Sequence, residues 1–226
     1  MNYKNLAIIP ARGGSKRIPK KNIKNFLGKP IIAYSIETAL KSKLFDELMV
    51  STDSAEIAEI AKKYEAKVPF FRSKETANDI APLNEVVNEV INEYKKIGQV
   101  FDYICLILPT APLISVQNLA RGLEILQNST FDSIRPIVRF GFPIQRAFRL
   151  NENNEVSPIN PDDFKKRSQD LEPAFHDSGQ FYWFRGDKDL STNKGAFEIS
   201  ELEVQDIDNE TDWKLAELKY KLIFKQ

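Results

Sequence analysis

Short uninterrupted apolar runs alternate with longer segments whose apolar residues recur at three- and four-residue spacing, and this alternation governs the chain as far as Val138. Residues 6–9 form the first run and predict a fully buried strand. Pro10 stops it, because proline cannot donate to a ladder and keeps its predecessor out of a helix. Residues 31–44 predict a helix with Pro30 in its first turn, and residues 48–52 a second buried strand. A second helix follows over residues 55–64, with Asp53 or Ser54 as its cap. Residues 68–71 read as a third short strand, residues 72–79 as a polar loop and residues 83–94 as a helix. Residues 101–108 have the continuous hydrophobicity of a central parallel strand buried on both faces, ended by Pro109-Thr-Ala-Pro112. A helix over 116–126 and a strand over 133–138 complete the pattern. The order predicts an α/β fold, a mostly parallel sheet with helices on both faces. Ligands of such sheets bind beyond the carboxyl ends of the strands, and Arg12 and Asp53 both fall at such ends.

The second half has a different texture. Residues 139–167 are extended, with Gly141, Pro143, Pro158, Pro161 and an Asn-Glu-Asn-Asn-Glu turn, which suits a projecting arm better than another βαβ unit. Residues 167–183 mix polar groups with large rings, and residues 212–224 predict a final helix packed back on the sheet. Residues 1–226 therefore read as one domain, from which 139–167 project.

Composition removes several classes of function. Lysine plus arginine number 32 and aspartate plus glutamate also 32, so no net charge points to nucleic acid or to a membrane surface. Cys105 is the single cysteine and sits in the apolar run 103–108, which excludes a disulfide framework and predicts a buried, inert thiol. With no secretory pattern at the start and no apolar run of spanning length, the expected location is cytoplasmic.

The candidate chemistry begins where the first strand breaks into Ala11-Arg-Gly-Gly-Ser-Lys-Arg-Ile-Pro-Lys-Lys-Asn22. Gly13 and Gly14 permit positive φ and close backbone approach, so successive N–H groups can point at one anion. Arg12, Lys16, Arg17, Lys20 and Lys21 add positive charge, as a nucleoside triphosphate requires. Neither the Walker A spacing nor the G-x-G-x-x-G dinucleotide fingerprint is present. Far downstream, Asp206 and Asp208 stand two residues apart on an extended segment, where they share a face and can converge on one hard cation.

The run from Ile8 to Asn22, followed by Gly28-Lys-Pro-Ile-Ile-Ala-Tyr-Ser-Ile36, closely resembles the opening of the nonulosonate cytidylyltransferases, the enzymes that make CMP-activated sialic acids. The resemblance extends from Leu6 to Phe224 and implies a Rossmann-like nucleotidyltransferase that joins CTP and a nonulosonic acid sugar and releases pyrophosphate. It implies that Ala11, Arg12, Gly13, Gly14, Ser15 and Lys16 grip CTP, that Asn22 meets the nucleoside and that Arg72 approaches the cytosine. Arg12, Lys16, Lys21 and Asp208 become the candidate catalytic groups, and Asp206 with Asp208 the candidate ligands of Mg²⁺. The proton acceptor stays open between solvent at the metal and Asp208. By the same resemblance the 139–167 arm reaches across a homodimer.

Two segments bear on the sugar. The His176-Asp-Ser-Gly-Gln180 segment, with Pro143-x-Gln145-Arg146-Ala147 before it, resembles the pseudaminic acid branch of the family, which implies Gln145, Arg146, Gln169, His176, Asp177 and Gln180 as sugar-pocket residues. Leu108 and Ile114 stand where sialic acid synthetases carry glutamine and arginine, a loss of polar groups that a glycerol tail would leave unpaired. N-acetylneuraminate and legionaminate remain alternative substrates, as does 3-deoxy-manno-octulosonate. A nucleotide-binding protein without turnover is the alternative from another class.

Overall fold

The computed structural model describes residues 3–78, 81–188, 190 and 192–224. In chain order the elements are β1 (Asn5–Pro10), β2 (Asn25–Phe26), β3 (Lys29–Pro30), α1 (Ile31–Ser42), β4 (Glu47–Ser51), α2 (Ala55–Lys63) and α3 (Leu83–Lys96). There follow β5 (Tyr103–Ile107), α4 (Val116–Gln127), β6 (Ser133–Arg139), β7 (Phe148–Leu150), β8 (Val156–Pro158), β9 (Phe175–Asp177), β10 (Phe181–Arg185), β11 (Lys194–Glu198) and α5 (Glu210–Phe224). The main sheet has the order β11-β6-β10-β5-β1-β4, with β9 paired to β6. β1 is parallel to β4 and β5, and β11 is parallel to β6, whereas β10 runs antiparallel to β5 and β6, and β9 antiparallel to β6.

The uninterrupted runs of β1 and β5 follow from burial on both faces. Ala7 and Ile9 of β1 meet Ile32 and Ile36 of α1, Ile57 of α2 and Leu119 of α4 in one core layer. Leu6 and Ile8 point the other way, to Val87, Val90 and Tyr94 of α3. The two-residue alternation of a strand sends each set to its own face, so helices cover both. β10 obeys the same rule, with Phe181 and Trp183 under α4 and Phe184 with the α3 layer. The Trp183 indole stacks on Phe45 with centroids 5.1 Å apart and donates to the Leu119 carbonyl at 3.0 Å.

Three readings from the sequence pattern change, and one open choice closes. Residues 68–71 form no strand: Lys67 makes one bridge to Met49, and the chain then leaves the sheet at Pro69, which has no N–H to continue a ladder. Pro30 precedes α1 as its cap residue instead of entering its first turn. α5 does not return to the sheet. Its Trp213 and Ala216 join Phe26, Ile31, Tyr34 and Ile207 in a separate cluster outside α1. Of the two candidate caps for α2, Ser54 serves, accepting from the Ile57 N–H. Asp79, at the end of the polar loop, lies outside the described residues.

Candidate active site

After β1 the chain steps to β4 on one side and later to β5 on the other, so the carboxyl ends of β1 and β5 flank a topological switch point. A cavity of about 500 Å³ opens there. Arg12, Gly14, Ser15, Lys16, Arg17 and Lys21 come from the β1 loop, Leu108 from the end of β5, Leu83 from the start of α3, and Asp208 from the segment before α5. Four cations around one carboxylate give this room a positive field, suited to a polyanion. Asp208 forms an ion pair with Arg17 and lies 4.0 Å from Lys21.

The loop is held from beneath by residues that do not line the cavity. The buried Ala11 donates to the Ser51 carbonyl at 2.9 Å, and the Gly13 N–H is taken by Asp53 Oδ1 at 2.8 Å. Asn22, 8% exposed, donates to the Arg12 carbonyl at 3.0 Å. Arg72, 9% exposed, donates through Nε to Ser51 Oγ at 3.1 Å and through a terminal nitrogen to the Ser51 carbonyl at 2.8 Å. Burial lowers the pKa of this guanidinium, opposed by Asp53 and Glu89, while Arg12 adds to the lowering. Ala11, Gly13, Asn22 and Arg72 therefore brace the loop, whereas Arg12, Gly14, Ser15 and Lys16 face the room. Gly13 and Gly14 do not use positive φ; the left-handed residue of the loop is Lys20, at φ 52. A Cβ on Gly14 would meet nothing within 4 Å, so the glycine leaves its backbone open to a ligand.

The six sugar-pocket candidates divide among three places. Arg146 and Gln169 line a second cavity of about 600 Å³ beyond the end of β6, with Phe140, Phe142, Glu198 and Ser200. Gln145 donates to the Glu172 carbonyl at 2.7 Å beside it, and His176 packs on Phe140 with centroids 4.9 Å apart. Asp177 turns to the opposite sheet face, where it accepts from Tyr182 at 3.0 Å and pairs with Arg135 at 3.3 Å. Gln180, 2% exposed, is built into the middle of the sheet at the start of β10: its carbonyl accepts from the Leu108 N–H and its side chain donates to the Glu203 carbonyl.

The family model for cytidylyltransferases matches residues 6–209. The chain belongs to the cytidylyltransferase family. It is 44% identical over 225 residues to a pseudaminic acid cytidylyltransferase of Campylobacter jejuni, covering 97% of each. It is 32% identical to a CMP-N,N'-diacetyllegionaminic acid synthase of Legionella pneumophila, covering 94% of each. A solved CMP:2-keto-3-deoxy-manno-octonic acid synthetase complexed with CTP shares the fold at a TM-score of 0.71 and 18% identity, over 99% of this chain and 100% of that one.

The enzyme's carboxylate pair does not sit on a strand, because residues 204–209 join no ladder. Asp208 faces the nucleotide-sized room, while Asp206 is exposed and close enough to Tyr182 to help raise its pKa, behind burial and Asp177. No group of three or more His, Cys, Asp or Glu side chains converges on a metal position among the described residues. Asp208, on the wall of the room, is a hard oxygen donor of the kind a divalent cation takes, one or two carboxylates per ion with phosphates and water completing the shell. Lys21 fixes this segment by donating to the Ile207 carbonyl at 2.7 Å, and Lys219 of α5 by donating to the Glu201 and Val204 carbonyls at 3.0 and 2.6 Å.

Proposed function

We propose that the enzyme transfers CMP from CTP to pseudaminic acid, with Mg²⁺, as a homodimer in the cytoplasm. The observation that carries this is the cation-lined room at the β1/β5 switch point, in a chain 44% identical along nearly its whole length to a pseudaminic acid cytidylyltransferase. The anomeric oxygen attacks the α-phosphorus in line, the bond to the bridging oxygen breaks, and pyrophosphate leaves. No protein nucleophile is required, so catalysis rests on position and charge. Arg12 and Lys16 lie along the triphosphate and offset the charge that gathers on the departing oxygens. Lys21 keeps Asp208 at the phosphates, and Asp53 and Arg72 hold the loop's backbone so that the amides beyond Gly13 face the nucleotide. Asp208 would hold Mg²⁺, which supplies further charge neutralisation to the phosphates when bound, whereas Asp206, turned toward Tyr182, is not placed to share it.

The arm supports the dimer. Its hairpin of β7 and β8 exposes Phe148 (55%), Leu150 (66%) and Val156 (59%), with Phe142 (65%) exposed on the segment before it, more apolar surface than a two-stranded ribbon keeps in water without a partner. In a dimer Gln145, Arg146 and Gln169 face sugar bound at either subunit, and His176 supports that wall through Phe140.

Pyrophosphate release from CTP and Mg²⁺ tests the reaction, with pseudaminic, legionaminic and N-acetylneuraminic acids in parallel. Release with pseudaminic acid alone is the expected result. Preference for either of the other sugars would overturn the substrate, and release with none would overturn the reaction. Light scattering on the eluting protein tests the dimer.

A further inference from the structure

Asp208 stands just before α5, and its backbone is held from both sides. The preceding Ile207 carbonyl accepts from Lys21. One oxygen of Asp212, Oδ2, accepts from the Asp208 N–H at 2.9 Å and from the Asn209 N–H at 3.1 Å. Asn209 Oδ1 in turn accepts from the Thr211 and Asp212 N–H groups at 2.8 and 3.0 Å. With α5 beginning at Glu210, Asn209 is its cap residue and Asp212 its third residue, and each side chain takes the other's N–H, the reciprocal arrangement of a capping box.

Capping explains only one of the two bonds to Asp212 Oδ2. The Asn209 N–H belongs to the cap, whereas the Asp208 N–H lies one residue outside the helix and is not among the groups that a helix start leaves open. The second bond serves residue 208. Packing makes the same connection, because Ile207, 1% exposed, joins Trp213 and Ala216 of α5 and Ile18 of the cationic loop in one buried cluster. Ile18 and Ile207 are the sequence neighbours of Arg17 and Asp208, which are ion-paired on the wall of the nucleotide room. The cluster that α5 builds outside the main sheet therefore sets the carboxylate in register with the phosphate loop.

Resting on the reading given above, in which Asp208 holds the divalent cation, we propose that Asp212 is a positioning residue for that ligand. It does not line the room; it fixes the backbone from which Asp208 reaches into it. A single carboxylate needs such support more than a pair does, since one swing of its side chain removes the cation's protein ligand altogether. A backbone free to turn at residue 208 would have to be ordered when the cation binds, and that ordering would be subtracted from its affinity. With Asp212 in place the ordering is complete in the folded chain. The charge of Asp212 is itself accommodated, because it lies in the first turn of α5, where the helix dipole favours an anion.

The test measures Mn²⁺ binding to the enzyme with CTP and no sugar, from the loss of the free-ion EPR signal. Beside it are read the urea midpoint and the Mg²⁺ concentration for half-maximal pyrophosphate release. Asp212→Ala, at a half-buried position on a helix outside the main sheet, is expected to weaken Mn²⁺ binding about tenfold and to raise the Mg²⁺ requirement in step, with kcat recovered at saturating Mg²⁺. Asp212→Asn keeps an oxygen acceptor for both N–H groups and should recover most of the loss. Asn209→Ala removes the acceptor of the other two N–H groups, so it weakens the cap and spares the hold on Asp208. It should lower the urea midpoint about as far as Asp212→Ala and leave Mn²⁺ binding within about twofold of wild type. Mn²⁺ binding within about twofold in Asp212→Ala, or losses in the two alanine variants that simply follow their stability, would overturn the positioning role. Asp208→Ala tests the reading beneath it: unchanged Mn²⁺ binding there would overturn the cation assignment and the role of Asp212 with it. A loss in Asp208→Ala without one in Asp212→Ala would overturn the positioning alone and leave the proposed reaction standing.

Discussion

Replacing Arg72 by leucine separates two roles for this residue, contact with the base and support of the loop. In the structure the guanidinium is buried and bonded twice to Ser51, while the Arg72 N–H donates to the Thr52 carbonyl at 2.8 Å. Arg72→Leu keeps the backbone bond and removes the other two. A hydrogen bond from a charged donor contributes about 1.5–3 kcal/mol, so the gross loss is roughly 3–6 kcal/mol. Two terms reduce it. The Ser51 carbonyl keeps the Ala11 N–H as a donor, and leucine avoids the desolvation that lowers this guanidinium's pKa. The net expectation is a destabilisation of ~2 kcal/mol, a fall of roughly 1 M in the urea midpoint. The end of β4 also carries Asp53, which anchors Gly13, so CTP affinity should fall about tenfold in the same variant. Urea unfolding followed by tryptophan fluorescence, with CTP titration under native conditions, reads both. A tenfold loss of CTP affinity with an unmoved midpoint would refute the brace and return Arg72 to the base. An unmoved midpoint with unchanged affinity would refute both roles.

Lys16→Ala and Asp208→Ala should each lower kcat/KM at least about tenfold, more than ~1.4 kcal/mol of transition-state stabilisation, and unchanged kinetics would remove that residue from the mechanism. Gly186→Ala should destabilise by ~3 kcal/mol or more, because its Cβ would lie 1.9 Å from the Phe101 carbonyl oxygen, where backbone and not a mobile side chain must yield; a thermal midpoint within two degrees or so of wild type would count against this. Cys105, fully buried with its thiol pKa pushed up by desolvation, should resist a disulfide reagent at pH 8 until urea unfolds the chain, and labelling at the rate of a free thiol would contradict the burial. Because its folded pKa lies above the unfolded value, Cys105 leaves stability intact below about pH 8.5 and lowers it as pH rises beyond.

Local pattern and tertiary placement divide the remaining questions cleanly. β1, α1, β4, α2, α3, β5, α4 and β6 follow from runs and spacings because each is stabilised by burying a contiguous face, which the sequence displays directly. β9 and β11 escaped that reading. Phe175-His-Asp177 is three exposed residues, and Lys194-Gly-Ala-Phe-Glu198 alternates around a glycine whose added Cβ would strike Phe131, so neither has the apolar content that marks a strand. Both form because β6 offers them an edge.

The site divides in the same way. By itself the sequence determined the βαβ core, the cationic glycine loop at the end of the first strand and the family that loop resembles, because these depend on residue type within a few positions. Which members of the loop face the ligand was decided only by the tertiary structure: Arg12, Gly14, Ser15 and Lys16 turn toward the room, while Ala11, Gly13, Asn22 and Arg72 are spent on Ser51, Asp53 and the Arg12 carbonyl. It also separated Asp208 from Asp206 and sent Asp177 to the face opposite His176, toward Arg135 and Tyr182. The physical reason is that a hydrogen bond spends a donor once, and whether that donor is left for a substrate depends on partners 10 to 186 residues away, which no local pattern encodes.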